Sequence, residues 1–189
     1  KDVSLIVIDG DRGLGNGGVF PAGPLRAPLR VQLERTDALV VIGDGSAAAA
    51  VAAAIAARGK PVFSAQLRPD AATVASLMGK RVLAFAGIGD PARFFRTLRL
   101  NGVEVVRERP FADHHPFSAR DIEALAAEAK RDRLTLVTTE KDLVRLRRPA
   151  PLASVESDIV PFKVELEFAD PAGLRRLLSK QLFKTRPKQ

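Results

Sequence analysis

Short runs of aliphatic residues, separated by longer polar or amphipathic segments, recur along the chain. Such short, β-branched runs are typical of strands that are buried on both faces of a sheet. The predicted strands are residues 5–8, 37–43, 61–68, 80–86, 103–107, 134–138 and 158–168. We expect the last of them at a sheet edge, because Pro161 interrupts it and has no N–H to donate.

The segments between the strands predict helices at residues 25–34, 47–58, 71–78, 92–100, 119–130, 139–148 and 171–182, the third being a short helix or a loop. Ser46, Asp90 and Asp170 stand where N-caps are expected. Ser118 and Asp121 form the pattern of a capping box. The alternation predicts an α/β fold with a doubly wound, mostly parallel sheet and helices on both faces, as in Rossmann-like three-layer proteins.

Composition limits the classes of protein to which the chain can belong. Its 189 residues, 46% of them hydrophobic, suffice for one α/β domain, predicted at residues 31–183, and a disordered basic tail at residues 184–189. The absence of cysteine excludes disulfides and thiolate metal sites. A net charge of +8 favours an anionic partner such as phosphate, nucleic acid or an acidic membrane surface. The chain begins at Lys1 and enters a strand almost at once, so we expect it to be a piece of a longer protein.

The segment after the first strand has the composition of a ligand-binding loop. Its closely spaced glycines let the backbone approach a ligand, and ligands of open α/β sheets bind at the carboxyl ends of strands. Arg12 offers a planar, charged fork that suits phosphate oxygens. The candidate phosphate- or substrate-binding residues are Asp9, Asp11, Arg12, Gly13, Gly15, Asn16 and Gly17. A simple turn remains the alternative, because the loop does not complete G-x-G-x-x-G and the chain contains no G-x-x-x-x-G-K-[ST].

Two further loops carry candidate chemistry. Asp113, His114 and His115 precede a predicted helix, and one histidine could pair with a carboxylate and relay a proton near neutral pH. An exposed loop histidine without a catalytic role is the alternative. After the sixth strand, four polar residues would reach the same sheet edge, where they either contact a ligand or cap the next helix: Thr139, Glu140, Lys141 and Asp142. The basic end of that helix is interpreted as solvated surface: Arg145, Arg147 and Arg148.

Four segments in order resemble one family, the tetraacyldisaccharide 4'-kinases of lipid A synthesis. They are VIDGDRGLGNGGVFPAGPLR (residues 7–26), FAGIGDPARFF (85–95), FADHHPF (111–117) and TTEKD (138–142). The resemblance covers the carboxyl-terminal part of such an enzyme. The family's amino-terminal half, with its Walker A loop, acidic catalytic motif and membrane-associating helix, has no counterpart here. Residues 1–30 would then form the interface with that missing domain.

The resemblance implies phosphoryl transfer from ATP, with Mg²⁺, to the 4'-hydroxyl of an acylated glucosamine disaccharide phosphate at the cytoplasmic face of the inner membrane. ATP and Mg²⁺ would be bound mainly by the missing half, with no metal ligand in this chain, so we expect the chain alone to be inactive. Arg12 would meet phosphate charge in a cleft. His114, beside Asp113, would partner a catalytic aspartate from the missing half, and His115 remains the second choice.

Two other classes of function stay open. One is a stand-alone α/β module that binds a nucleotide or a phosphosugar. The other is a nucleic-acid-binding domain, which the positive charge suggests. The cationic residues are scattered and aromatic residues are few, so no nucleic-acid partner is predicted.

Overall fold

Strands and helices alternate as predicted in the computed structural model, which describes residues 2–146 and 158–184. The strands are β1 (Leu5–Asp9), β2 (Ala38–Ile42), β3 (Val62–Pro69), β4 (Arg81–Ala86), β5 (Glu104–Pro110), β6 (Thr135–Thr139), β7 (Ile159–Phe162) and β8 (Val164–Phe168). The helices are α1 (Leu29–Arg35), α2 (Ala49–Ala56), α3 (Ala71–Leu77), α4 (Pro91–Leu100), α5 (Ala119–Asp132), α6 (Glu140–Leu146) and α7 (Pro171–Lys184). A single 3₁₀ turn, Ser46–Ala48, precedes α2.

The strands form two four-stranded sheets, with the orders β1-β2-β3-β8 and β5-β4-β6-β7. β2 pairs in parallel with β1 and β3, β4 with β5 and β6, and β6 with β7. The predicted α/β class with mostly parallel strands is confirmed. The prediction of one strand over residues 158–168 is wrong, because β7 and β8 are separate strands that extend different sheets. Each lies at a sheet edge, as the proline in β7 indicated.

The chain divides into two compact units, each built largely around one of these sheets. The first comprises the chain up to residue 68 and after residue 165, and the second comprises residues 69–165. The predicted boundary after residue 30 falls inside the first unit, so the assignment of residues 1–30 to an interface stays a prediction. The predicted tail begins inside α7, and its remainder lies outside the described residues, as do Arg147 and Arg148.

In the second unit, β4 is buried on both faces of its sheet. Leu83 and Phe85 pack into a cluster with α5 and α6. The alternating residues Val82, Ala84 and Ala86 pack on the other face with α3 and α4. Because successive side chains of a strand point to opposite faces, helices cover both sides of this sheet, as predicted. Burial of one of the larger side chains, such as Leu83 or Phe85, contributes roughly 1.5–3 kcal/mol to the free energy of folding.

The first unit has the same layering, except at its edge strand. Ile8 and Leu39 pack with α1 and α2 on one face, and Val40 and Phe63 pack with α7 on the other. The cluster around α7 contains side chains of β2, β3 and β8 but none of β1. Val7 on β1 is accordingly 58% exposed.

Four of the helices begin at side-chain caps that can be recognised in the sequence. The carboxylates of Asp90 and Asp170 each accept a hydrogen bond from the N–H three residues later, as predicted. Ser118 and Asp121 form both bonds of the predicted capping box. Asp70 caps α3 in the same way, which resolves the choice between helix and loop at residues 71–78. Each such cap stabilises its helix by roughly 1 kcal/mol.

The predicted N-cap at Ser46 is wrong. Gly45 occupies the N-cap position of the 3₁₀ turn, and no side chain caps either this turn or α2. The N–H of Ala47 instead donates to the carbonyl oxygen of Gly10, at 2.9 Å. A contact with the loop after β1 thus replaces the local cap that the sequence favours.

Candidate functional site

The glycine-rich loop after β1 adopts the backbone conformations that its glycines permit. Gly13, Gly15 and Gly17 all lie in the left-handed region, with φ of 60°, 59° and 66°. The side chain of Asp9 organises the first turn, because its Oδ1 accepts hydrogen bonds from the N–H groups of Asp11, at 2.9 Å, and residue 12, at 3.2 Å. This candidate carboxylate therefore shapes the loop from the end of the strand.

Asn16 fixes the second half of the same loop. Its Nδ2 donates to the carbonyl oxygen of Ala22, at 2.7 Å, and its Oδ1 accepts from the N–H of Gly18, at 3.0 Å. A Cβ on Gly23 would collide with the Asn16 side chain, so only glycine fits at this position. Asn16 is thus engaged in holding the loop closed.

The loops that follow β1 and β2 pack directly against each other. The N–H of Gly10 donates to the carbonyl oxygen of Ile42, at 2.8 Å. A Cβ on Gly45 would overlap the Gly10 backbone and the Asp11 carboxylate, and one on Gly13 would lie 2.6 Å from the carbonyl oxygen of Ala47. The two strand ends therefore form one rigid edge.

Two charged side chains lie on the exposed part of this edge. Asp11 and Arg12 are both exposed, whereas Asp9 is half-buried. An arginine held on a tight glycine loop can present its fork to the oxygens of a phosphate. Arg12 therefore remains the best candidate phosphate contact of the first unit.

In the second unit, the loops after β4 and β5 and the first turn of α6 meet at Gly87. The N–H of Gly87 donates to Oδ2 of Asp142, at 3.1 Å, and its carbonyl oxygen accepts from the N–H of His114, at 3.0 Å. The loop after β5 packs closely here, because a Cβ on Gly87 would lie 3.3 Å from the carbonyl oxygen of Ala112 and from the Cβ of His115. One glycine thus joins three candidate segments, as expected for the carboxyl edge of a parallel sheet.

Asp142 is the buried centre of this arrangement, with 0% of its surface exposed. Its Oδ2 also accepts a hydrogen bond from the hydroxyl of Thr139, at 2.8 Å, and the Thr139 Oγ1 accepts the N–H of Asp142, at 3.1 Å. Thr139 therefore caps α6, which is one of the two roles considered for it. Glu140 and Lys141 are exposed.

Arg145 connects the buried carboxylate to the histidine loop. Its Nη1 donates to Oδ1 of Asp142, at 3.0 Å, and to the carbonyl oxygen of Gly87, at 2.8 Å. Its Nη2 donates to Nδ1 of His114, at 2.8 Å. The interpretation of Arg145 as solvated surface is wrong. The spacing of three residues from Asp142, one helical turn, was the sequence signal for this pair.

The two histidines have different environments. The side chain of His114 is 77% exposed, and its Nε2 lies 3.8 Å from Oδ2 of Asp113. His115 packs against the rings of Phe111 and Phe117, with centroid distances of 4.8 and 5.2 Å, and those two rings also contact each other. His114 is therefore the histidine that a reacting group can reach, and His115 contributes to packing.

His115 is further engaged with the cap of α5. Its Nε2 lies 3.2 Å from Oδ2 of Asp121. The hydroxyl of Ser118, then its backbone N–H, and more weakly His115, hold the pKa of Asp121 below the ordinary range of an aspartate. His115 therefore supports the carboxylate that caps the start of α5.

The predicted site residues are thus distributed over two units. Arg12 and its loop follow the first strand of the first unit, and His114 and Asp142 belong to the second. Each set lies at the carboxyl end of strands in its own sheet. Within residues 2–146 and 158–184, no three His, Asp or Glu side chains are grouped so that they could hold a metal ion. The same residues include no helix with the length and apolarity needed to cross a membrane.

Comparison with known proteins identifies the family. The family model for tetraacyldisaccharide-1-P 4'-kinase, LpxK, matches residues 1–183. The chain belongs to this family. The resemblance inferred from the four motifs is confirmed.

Relatives in the LpxK family define how much of such a protein is present. The chain is 65% identical over its whole length to the tetraacyldisaccharide 4'-kinase of Bradyrhizobium diazoefficiens. It is 61% identical, over 98% of its length, to the enzyme of that name from Nitrobacter winogradskyi. In both cases the chain spans 55% of the relative's length.

A solved structure shows the same fold. The crystal structure of LpxK from Aquifex aeolicus in complex with ATP matches with a TM-score of 0.63 and 21% identity. The match covers 96% of this chain and 53% of that one. Both kinds of comparison therefore assign the chain to about half of an LpxK protein.

Proposed function

We propose that this chain is the carboxyl-terminal part of a kinase that transfers the γ-phosphate of ATP to the 4'-hydroxyl of tetraacyldisaccharide 1-phosphate. The observation that carries the proposal is the family match over residues 1–183. The four motifs lie at the carboxyl ends of strands, one in the glycine-rich loop of the first unit and three in the segments that meet at Gly87 in the second. Ligands of parallel sheets bind at such strand ends, which supports a role for the motifs in binding. The remaining half of the enzyme would supply the other catalytic groups, and the chain alone would be inactive.

In this proposal Arg12 contacts phosphate. Phosphoryl transfer is catalysed mostly by positioning and by neutralising charge on the transferred group. A guanidinium on a loop braced by Asp9 and Asn16 would meet both requirements. Gly13, Gly15 and Gly17 would let the loop backbone approach the phosphorylated end of the disaccharide.

His114 acts on the acceptor hydroxyl through a carboxylate from the other half of the enzyme. Its exposed Nε2 would donate a hydrogen bond to that carboxylate and orient it as the base for the sugar hydroxyl. Asp113 would lie beside this pair. The exposed residues Glu140 and Lys141 would line the same part of the site.

ATP and Mg²⁺ would be held mainly outside this chain. The sequence contains no Walker A loop to cradle a triphosphate. Within the described residues no cluster of acidic or histidine side chains fits a metal ion, so we assign no Mg²⁺ ligand here. When bound, the cofactor pair supplies the transferable phosphoryl group and neutralises its charge.

A place at the cytoplasmic face of the inner membrane is part of the same proposal. The acylated substrate is itself a membrane lipid, and an anionic surface would attract a chain of net charge +8. Exposed apolar side chains at the end of α7, Leu182 and Phe183, lie close in sequence to basic residues. This end of the helix is a candidate contact with lipid.

The test is a kinase assay on the full-length enzyme that contains this chain, with MgATP and the tetraacyldisaccharide phosphate. We expect phosphate transfer to the 4' position, and a fall of about 10²- to 10⁴-fold in kcat for His114→Ala, because the base loses its partner. The thermal midpoint should be nearly unchanged, since the His114 side chain is mostly exposed.

Arg96→Ala, which removes an exposed arginine of α4, is the matched control and should leave the rate unaltered. An unchanged rate for His114→Ala would remove this residue from the mechanism. Turnover by the 189-residue chain without the other half would contradict the proposed inactivity. Tight ATP or sugar-nucleotide binding by that chain in calorimetry would favour the stand-alone binding module.

A further inference from the structure

We infer that Arg145 is a positioning residue that selects the tautomer and the orientation of the His114 imidazole. This inference rests on the proposed function only for its consequence in catalysis. The hydrogen-bond chain that carries it runs from the buried carboxylate of Asp142 through the Arg145 guanidinium to Nδ1 of His114.

The guanidinium is held at a fixed position by two acceptors. Oδ1 of Asp142 and the carbonyl oxygen of Gly87 lie 3.0 and 2.8 Å from Nη1 of Arg145. The Asp142 carboxylate is in turn held by the N–H of Gly87 and the hydroxyl of Thr139, and it is fully buried. A buried carboxylate with all these partners cannot change rotamer without leaving donors unsatisfied. Nη2 of Arg145 is therefore presented in one direction.

The chemistry of arginine then decides where the imidazole carries its proton. Every guanidinium nitrogen is a donor and none can accept. Nδ1 of His114, 2.8 Å from Nη2 of Arg145, must therefore be the accepting, unprotonated nitrogen. The ring proton lies on Nε2, the nitrogen that faces away from Arg145.

The backbone reinforces this orientation. The N–H of His114 donates to the same Gly87 carbonyl oxygen that Arg145 contacts, at 3.0 Å. Its φ of 61° is a left-handed conformation that a residue with a Cβ adopts only when its surroundings impose it. Backbone and side chain of His114 are thus both fixed with respect to one glycine.

The consequence is a histidine prepared to donate from Nε2. Oδ2 of Asp113 lies 3.8 Å from Nε2, which is too long for a hydrogen bond. The exposed Nε2–H is therefore available to the carboxylate that the proposed function assigns to the other half of the enzyme. Without Arg145 the ring could rotate or carry its proton on Nδ1, and it would then present the wrong nitrogen to that partner.

The first experiment measures the tautomer itself and does not depend on kinase activity. Imidazole ¹⁵N spectra are recorded on the full-length enzyme that contains this chain, with ¹⁵N only in its histidines. The signals that disappear in His114→Gln are assigned to His114. We expect a single Nε2–H tautomer for His114, with a hydrogen-bonded Nδ1. In Arg145→Ala the His114 signals should move towards those of a tautomer mixture, whereas Arg96→Ala should change nothing.

The second experiment measures the effect on the reaction in the full-length enzyme. Arg145→Ala should lower kcat about 10- to 100-fold with little change in KM, as expected for loss of an orienting partner. Guanidinium ion, added far below denaturing concentrations, should restore part of the rate. The double variant His114→Ala/Arg145→Ala should be no slower than His114→Ala alone, because Arg145 acts through that histidine.

The outcomes separate this inference from the proposed function. Unchanged His114 ¹⁵N signals in Arg145→Ala would overturn the inference even if the kinase activity is established. Additive losses in the double variant would also overturn it, since they would show that Arg145 acts independently of His114. If His114→Ala retains full activity while the tautomer changes as expected, the positioning holds and the catalytic role of His114 in the proposed function fails.

Discussion

At the scale of single residues, Asp142 shows how a polar motif residue can serve a site without facing it. The sequence places it in a polar segment at a strand end, which either contacts a ligand or caps the next helix. In the structure its carboxylate satisfies the N–H of Gly87, the hydroxyl of Thr139 and the guanidinium of Arg145. Its contribution to the site is therefore the arrangement of other groups.

Removing this carboxylate should be strongly destabilising. Asp142→Ala leaves the N–H of Gly87 and the hydroxyl of Thr139 without their acceptor and removes the ion pair with the half-buried Arg145. We expect the free energy of unfolding to fall by about 3–5 kcal/mol. Asp142→Asn, which keeps one accepting oxygen, should fall between this variant and the parent. Urea unfolding monitored by circular dichroism measures the difference. Lys141→Ala, at the exposed neighbouring position, should change stability by less than about 0.5 kcal/mol. Equal stabilities for the two alanine variants would show that the network is not structural.

At the scale of elements, the glycines of the glycine-rich loop differ in how much space a side chain would have. Gly13 and Gly17 share a left-handed φ, of 60° and 66°. A Cβ on Gly13 would lie 2.6 Å from the carbonyl oxygen of Ala47, whereas a Cβ on Gly17 would meet nothing within 4 Å. The sequence predicts the glycine requirement of the loop, but only the packing of the two strand ends distinguishes these positions.

This difference gives a matched pair of variants. Gly17→Ala should cost only the left-handed backbone penalty of about 1–2 kcal/mol. Gly13→Ala adds a clash with rigid backbone and should cost about 1–3 kcal/mol more, the range seen for overpacking. Thermal unfolding by calorimetry compares the two. Equal losses of stability in the two variants would show that Gly13 is not packed closely against the turn before α2.

At the scale of the whole molecule, the positive charge is the property that composition alone establishes. It is +8 overall, and the end of α7 combines basic residues with exposed apolar ones. Each basic residue near an anionic membrane contributes about 1 kcal/mol of attraction. The charge therefore supports lipid contact, while the scarcity of aromatic residues argues against stacking on nucleic acid.

Vesicle binding tests this property directly. The chain should bind phosphatidylglycerol vesicles in a sedimentation assay, bind phosphatidylcholine vesicles weakly, and dissociate as salt is raised. Phe183→Ser, which removes a side chain that is 73% exposed at the end of α7, should weaken binding several-fold through lost apolar burial. Leu100→Ser, at the equally exposed end of α4, should not. Similar effects of the two variants would mean that α7 has no special part in the contact.

Local interactions explain how much of this protein is readable from its sequence. The α/β class, the positions of most strands and the caps at Asp90, Ser118 and Asp170 depend on neighbours within a few residues. The family resemblance also rests on contiguous segments. The sequence by itself therefore determined the kind of fold, the family and the loops that carry candidate chemistry.

Contacts between distant segments decided the rest. Residues 158–168 divide between two sheets because β7 pairs with β6, whereas β8 lies beside β3. Ser46 is not a cap because the 3₁₀ turn begins one residue earlier, with Gly45 as its N-cap, and the N–H of Ala47 donates to Gly10. Arg145 is a charged residue of the kind usually found at the surface. Only the contact of α6 with the loops after β4 and β5 at Gly87 brings it to His114. No local pattern contains these pairings, since the energy of each depends on groups far apart in the chain.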